Sequence, residues 1–82
     1  MTPRFKELET VVLMRDVPEA GLRAGDLGAV VQVYAPEAFE VEFVTAAGGT
    51  QALVTLAAQD LRGVRDDDLL AVRPATKARG AA

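Results

Sequence analysis

The chain has 82 residues, of which 50% are hydrophobic, and a formal net charge of −3, which together suit one compact acidic domain. It contains no cysteine and no histidine, so disulfides, thiolate metal sites and a histidine general base are excluded. Serine is also absent, so neither a Ser-His-Asp nor a Cys-His arrangement can form.

No segment approaches the roughly 18 consecutive apolar residues of a membrane span. The first ten residues carry Arg4, Lys6, Glu7 and Glu9, so they lack the apolar centre of a signal peptide. We therefore expect a cytoplasmic protein without membrane contact. Residues 1–8 are expected to form an N-terminal extension, and residues 9–65 a folded barrel.

The first predicted strand is the apolar run Val11–Met14, which ends before the loop around Pro18. The second is Leu27–Tyr34, in which residues alternate between two faces. Because Gln32 marks the even-numbered face as the wetter one, we predict that the odd-numbered face enters the core. That face consists of Leu27, Ala29, Val31 and Val33.

Alternation is clearest from residue 39 to 44, where three apolar side chains alternate with Glu40, Glu42 and Val44. The inward residues are Phe39, Val41 and Phe43. The sequence AAGG at 46–49 predicts a hairpin turn into a strand over 50–56. In that strand the predicted inward side chains are Ala52, Val54 and Leu56.

The remaining elements are shorter. Residues 57–60 are typical of one helical turn, and residues 61–64 of a final strand. Asp66–Asp68 precedes the apolar run Leu69–Val72, so residues 66–73 form either an additional turn with helical character or an edge strand. Residues 74–82 are small, basic and polar, and we expect a disordered tail.

Five short strands separated by turn-rich loops indicate an all-β sandwich or barrel. At this length a small barrel is favoured, because closing the sheet removes most exposed strand edges. The predicted fold is therefore a small five-stranded barrel with a disordered C-terminal tail.

Four sequence stretches carry a resemblance to a known family: TVVLMRDVPEAGLRAGDLGAVVQVY, FEVEFV, GGTQALVTL and DLRGV. Over about residues 9–64 the chain resembles a family of small bacterial SH3-like proteins catalogued as a domain of unknown function. More distantly it is similar to SH3-like barrels of the KOW type. The resemblance implies an SH3-like fold, no established activity, and an antitoxin- or immunity-like role toward a toxin-like neighbour.

The glycine-rich stretch GLRAGDLG at 21–28 fits neither the G-x-G-x-x-G nor the G-x-x-x-x-G-K-[ST] phosphate-binding pattern. A strand follows it instead of a helix N-terminus, so we interpret its glycines as turn and close-packing residues. The carboxylates Glu40 and Glu42 lie on a predicted solvated face, so we interpret them as solvated surface charges. We predict no catalytic residue, no metal site and no cofactor, and hence no enzymatic activity.

Four apolar residues fall at positions predicted to face solvent: Val30, Tyr34, Val44 and Leu53. A contiguous apolar patch there suggests a protein partner. The alternative is that a loop or the run at 69–72 covers it. An open barrel edge also permits strand addition or a homo-oligomer. The predicted function is a non-enzymatic protein-interaction module; a KOW-like RNA- or ribosome-associated module is the alternative, although the scattered basic residues make nucleic acid an unfavoured partner.

Overall fold

The computed structural model describes residues 2–75 and 77 and has an all-β architecture, a single five-stranded antiparallel sheet. Its strands are β1 (Thr10–Leu13), β2 (Leu27–Ala35), β3 (Ala38–Val44), β4 (Thr50–Ala57) and β5 (Leu61–Gly63). Two 3₁₀ turns, Pro18–Ala20 and Ala58–Asp60, join β1 to β2 and β4 to β5. The predicted five-stranded, barrel-like fold class is confirmed.

The spatial order of the strands is β4-β3-β2-β1-β5. The first four strands form a meander, and β5 returns to pair with β1. Strands β4 and β5 are therefore the two edges of the sheet among the described residues. The edges differ in length, because β4 has eight residues and β5 has three.

The core lies on the concave side of the sheet and is wholly apolar, since no polar or charged residue in the described part of the chain is buried. Phe39 is fully buried, and its ring meets the Phe5 ring edge to face with centroids 5.3 Å apart. Phe5 is itself buried, so the segment before residue 9 contributes to the core instead of merely extending from it. The predicted inward residues of β3 are confirmed.

The face predicted for β2 is wrong over its first half. Gly28 and Val30 are buried, whereas Leu27 and Val31 are 39% and 37% exposed. The pairing of β2 with β3 shifts between Val30 and Gln32, where a β-bulge reverses the alternation. Beyond the bulge Val33 packs against the core, as predicted. Even-numbered residues of β2 therefore face the core before the bulge, and the odd-numbered Val33 faces it after the bulge.

Gly28 lies on β2 against two core side chains of β3. A Cβ atom at this position would stand 2.6 Å from Val41 Cγ1 and 2.9 Å from Phe43 Cε2. The Phe43 ring packs into the space that a side chain at residue 28 would fill. Gly25, in contrast, has φ +97° with open space around it, so its role is to turn the chain. The structural interpretation of the glycine-rich stretch is confirmed at both positions.

The β3–β4 hairpin also follows its prediction. Gly48 donates its backbone N–H to the Thr45 carbonyl at 2.9 Å, and Thr45 donates to the Gly49 carbonyl at 2.8 Å. Leu56 is buried, and Ala52 and Val54 pack against the core. The turn at 58–60 and the strand at 61–63 are likewise found where they were predicted.

The segment after β5 is a hydrogen-bonded turn followed by an extended run without helix or strand. Asp68 donates its N–H to the Arg65 carbonyl at 3.1 Å, and residues 69–75 have no regular structure. Of the two alternatives for residues 66–73, the described structure has a turn at 66–67 and no edge strand. The disorder predicted for 74–82 falls largely on residues 76 and 78–82, which lie outside the described residues. No described helix is long and apolar enough to cross a membrane.

Candidate functional site

The structure separates the four residues predicted to bind a partner. Val30 is completely buried in the core, so the prediction that it faces solvent is wrong, and the β-bulge beside it is the reason. Tyr34, Val44 and Leu53 are 50%, 57% and 55% exposed, and their predicted solvent positions are confirmed.

The three exposed residues belong to the convex side of β2, β3 and β4, where they surround two carboxylates. Leu53 on β4 lies directly opposite Glu42 on β3, and Val44 follows Glu42 by two residues. Leu53 and Val44 are therefore diagonal neighbours on two paired strands, and the side chains of such neighbours are about 7–8 Å apart. Tyr34, at the other end of the face, donates its hydroxyl hydrogen to Glu40 Oε1. We call this surface the outer patch (Tyr34, Glu40, Glu42, Val44 and Leu53).

Neighbouring hydroxyl groups orient both carboxylates of the outer patch. The Thr50 hydroxyl donates a hydrogen bond to Glu42 Oε2 at 2.8 Å, and the Tyr34 hydroxyl donates one to Glu40 Oε1. The hydrogen bond to Glu40 raises the pKa of the Tyr34 phenol, since ionising the phenol would remove its donor beside a negative charge. Each carboxylate keeps accepting capacity, because its two oxygens together offer about four lone-pair sites.

Sequence reasoning placed Glu40 and Glu42 on a solvated face but did not connect them with the apolar residues. That connection depends on strand register, which pairs Glu42 with Leu53 and Glu40 with Thr55. Val31, which was predicted to enter the core, is also exposed. Counting the strand register outward from the hairpin turn at Gly48 would predict the pairing of Glu42 with Leu53.

The edge of the sheet beside the outer patch is strand β4, with the sequence TQALVTLA. It contains no charged residue and no proline. Gln51 Nε2 donates to the Ala20 carbonyl at 3.3 Å, which ties the start of the strand to the first 3₁₀ turn. Beyond this contact, no described strand pairs with the outer side of β4. Natural edge strands are usually protected by charges, proline or shortness, and β4 has none of these features.

Hydrogen-bond alternation shows which backbone groups of β4 are unpaired at this edge. Ala58 donates its N–H to the Glu37 carbonyl at 2.9 Å, so this opposing pair is a hydrogen-bonded one. Hydrogen-bonded and non-hydrogen-bonded pairs alternate along an antiparallel ladder. Val54 therefore bonds to β3, and Leu53 and Thr55 direct their N–H and carbonyl groups to the free side.

The extended run after β5 is fastened to the barrel at both ends by bidentate ion pairs. Arg62 Nη1 and Nη2 each lie 2.8 Å from an oxygen of Asp68. Arg73 Nε and Nη2 lie 2.9 and 2.5 Å from the oxygens of Asp26. Between these pairs the run borders an open groove of about 590 Å³ whose apolar lining residues include Val12, Leu22, Leu27, Phe43 and Val44.

The fastened run does not cover the outer patch. Its apolar side chains are themselves exposed: Leu69 is 94% and Val72 is 99% exposed. It borders Val44 at the groove, but Tyr34 and Leu53 do not line that groove. The alternative that residues 69–72 shield the predicted patch is therefore wrong for these two residues.

The carboxylates of the ion pairs are held in the charged form. The hydrogen bond from Arg62, together with the Arg65 N–H, lowers the pKa of Asp68 to about 2. Desolvation raises the pKa of Asp26, but hydrogen bonds from Arg73 and from the Arg23 N–H outweigh it, and the net pKa is lowered. A general acid needs the opposite shift. Among the residues that the structure describes, no cluster of three or more acidic side chains could hold a metal ion.

Comparison with known proteins supports one assignment. Neither the search of curated proteins nor the search of solved structures gave a match. The family model described as Domain of unknown function (DUF4926) matches residues 7–63, which include all five strands and every residue of the outer patch. This match confirms the resemblance to a domain of unknown function, whereas the SH3-like and KOW-type identities stay predictions. The chain belongs to the DUF4926 family, a domain of unknown function.

Proposed function

We propose that this chain is a non-enzymatic protein-interaction module that binds its partner through the outer patch. The observation that carries the proposal is the exposure of Leu53 and Val44 by more than half on the sheet, beside a free edge strand. Apolar side chains grouped around oriented polar groups are typical of a protein-binding surface.

The chemistry of the chain supports a binding role over catalysis. Without cysteine and histidine, most of the remaining candidates for acid–base work are carboxylates. Asp26 and Asp68 are paired with arginines that keep them ionised, and Glu40 and Glu42 accept hydrogen bonds from hydroxyl groups. These contacts orient surface groups for recognition.

The RNA-binding alternative gains no specific support. Arg15, Arg62 and Arg73 are each within 3.2 Å of a carboxylate oxygen, so part of the cationic charge is neutralised internally. The outer patch carries two carboxylates, which repel phosphate. An antitoxin- or immunity-like role is the narrower form of our proposal, in which the partner is a toxin-like protein whose activity falls on binding; its support is the sequence resemblance.

The proposal is tested by affinity capture with the full tagged chain as bait. We expect one protein to be recovered in stoichiometric amount, in 0.5 M salt and after nuclease treatment. Leu53→Asp places a charge at the centre of the outer patch and should reduce recovery at least tenfold, which corresponds to about 1.4 kcal/mol of binding free energy. Tyr34→Ala should reduce it less, since the Tyr34 ring lies at the rim.

Leu70→Asp is the matched control, because Leu70 is also exposed but lies on the fastened run outside the outer patch. It should leave recovery unchanged. Equal recovery with Leu53→Asp and wild type would contradict the assignment of the binding surface. Recovery that depends on RNA and disappears with salt would instead favour the RNA-associated alternative.

A further inference from the structure

We infer that the partner binds by adding an antiparallel β-strand to the free edge of β4, and that this strand carries basic side chains on its outer face. The inference rests on the proposed function and specifies its mode. It follows from the unpaired backbone of Leu53 and Thr55 and from the position of Glu40 and Glu42 one strand further in.

The backbone of β4 has unpaired groups that can hydrogen-bond to another strand. The strand is uncharged over eight residues and presents alternating free N–H and carbonyl groups from Leu53 onward. The opposite edge, β5, is short and carries Arg62, which protects it in the usual way. The two edges of the sheet thus differ in length and charge, and of the two β4 offers the longer template for main-chain pairing.

The outer-face rows of the sheet define the side chains that would fit. A partner residue opposite Leu53 meets an exposed apolar side chain, so an apolar residue suits that position. A partner residue opposite Thr55 lies in the same row as Glu40. Two strand spacings, about 10 Å, separate its Cα from that of Glu40, and a lysine or arginine can reach across the small threonine.

The inner face adds a third requirement. Val54 is half-buried and packs against the core from the edge of the sheet. A partner residue opposite Val54 would extend the core by one side chain, so it should be apolar. The structure therefore favours a partner segment in which outward basic and apolar residues alternate with inward apolar residues.

A second copy of this chain is a poorer occupant. The β4 strand has no basic residue, so a symmetric β4–β4 pair would place nothing cationic near Glu40 or Glu42. It would also bring together two chains that each have a formal net charge of −3. Charge complementarity thus points to an extended basic–apolar segment of another protein.

The test uses two synthetic probes with the full chain: the peptide TVKVIVKVT, blocked at both ends and fluorescently labelled, and its acidic counterpart TVEVIVEVT. Binding is followed by fluorescence anisotropy. The lysine peptide should bind wild type at least fivefold more tightly than the glutamate peptide. Glu40→Lys should reduce or reverse this preference, whereas Glu7→Lys, the same charge change in the N-terminal segment, should reduce it less than twofold.

A backbone test separates strand addition from simple charge attraction. Thr55→Pro removes an N–H that β3 does not use, as edge strands tolerate, and should weaken lysine-peptide binding at least tenfold. Thr55→Val retains the N–H with a side chain of similar shape and should bind like wild type. Circular dichroism identifies variants that fail to fold. If Thr55→Pro fails to fold, the comparison of the two peptides on wild type, Glu40→Lys and Glu7→Lys still tests the inference.

Three outcomes would overturn the inference. They are no binding of the lysine peptide, equal binding by Thr55→Pro and Thr55→Val, and a wild-type dimer in light scattering that Thr55→Pro converts to monomer. The last outcome would make a second copy the occupant. If instead the peptides fail while affinity capture still depends on Leu53, the proposed function survives without strand addition.

Discussion

Phe39→Ala is expected to lower the free energy of unfolding by about 3–5 kcal/mol, the usual cost of removing a fully buried aromatic side chain. Phe39 has no exposed surface and packs edge to face against Phe5, so its loss leaves a cavity between the N-terminal segment and the sheet. Domains are stabilised by roughly 0.05–0.15 kcal/mol per residue, or about 4–12 kcal/mol at this length. The variant should therefore lose a large part of the stability of the chain.

Urea denaturation followed by far-ultraviolet circular dichroism measures this loss. Tyr34→Ala is the matched control, because it removes an aromatic ring that is half exposed, and it should change stability by less than about 0.5 kcal/mol. A Phe39→Ala protein with the same urea midpoint as Tyr34→Ala would show that Phe39 is not at the centre of the core.

Gly28→Ala is expected to destabilise the chain by about 1–3 kcal/mol through overpacking. The new methyl group would overlap the Val41 side chain, which is β-branched and fully buried and so cannot easily move aside. In thermal unfolding a domain of this size loses roughly 4–8 °C for each kcal/mol.

A second substitution identifies the cause. Phe43→Leu removes part of the ring that lies over Gly28, so the cost of Gly28→Ala should be smaller in the Phe43→Leu background than in wild type. Gly25→Ala should also destabilise, but through its positive φ alone, and Phe43→Leu should not relieve it. Identical costs of Gly28→Ala in both backgrounds would contradict a contribution of the Phe43 ring to the close packing at this position.

The sequence predicts strand β3 well because its pattern is unambiguous. Phe39, Val41 and Phe43 alternate with charged residues on a regular strand, so periodicity alone identifies the buried face. The hairpin after it is equally predictable, because Gly48 and Gly49 limit the turn to one place. In such segments local sequence and tertiary structure impose the same requirement.

Strand β2 shows where that reasoning fails. Its residues are apolar on both faces, so the face was assigned from Gln32 alone, and a bulge between Val30 and Gln32 reversed the outcome. Bulges depend on the register with a neighbouring strand, which a single sequence does not reveal. For this reason Val30 does not belong to the candidate site, and Val31, which was predicted to enter the core, is exposed.

The outer patch could be predicted only in part. Exposure of Tyr34, Val44 and Leu53 follows from alternation within single strands. Their association with Glu40 and Glu42 follows from pairing between strands, and the availability of β4 as an edge follows from the order of the whole sheet. Phe5 was missed for a similar reason, because one aromatic residue in an irregular segment has no periodicity to reveal its burial.

Amide hydrogen exchange on the full chain, with and without the peptide TVKVIVKVT, tests most directly the claim that the β4 edge is the binding surface. In the free chain the amides of Leu53 and Thr55 should exchange quickly, and that of Val54 slowly because it bonds to β3. Saturating peptide should slow Leu53 and Thr55 at least tenfold and leave Val54 unchanged. Unchanged exchange at Leu53 and Thr55, or protection confined to residues 69–73, would contradict the claim.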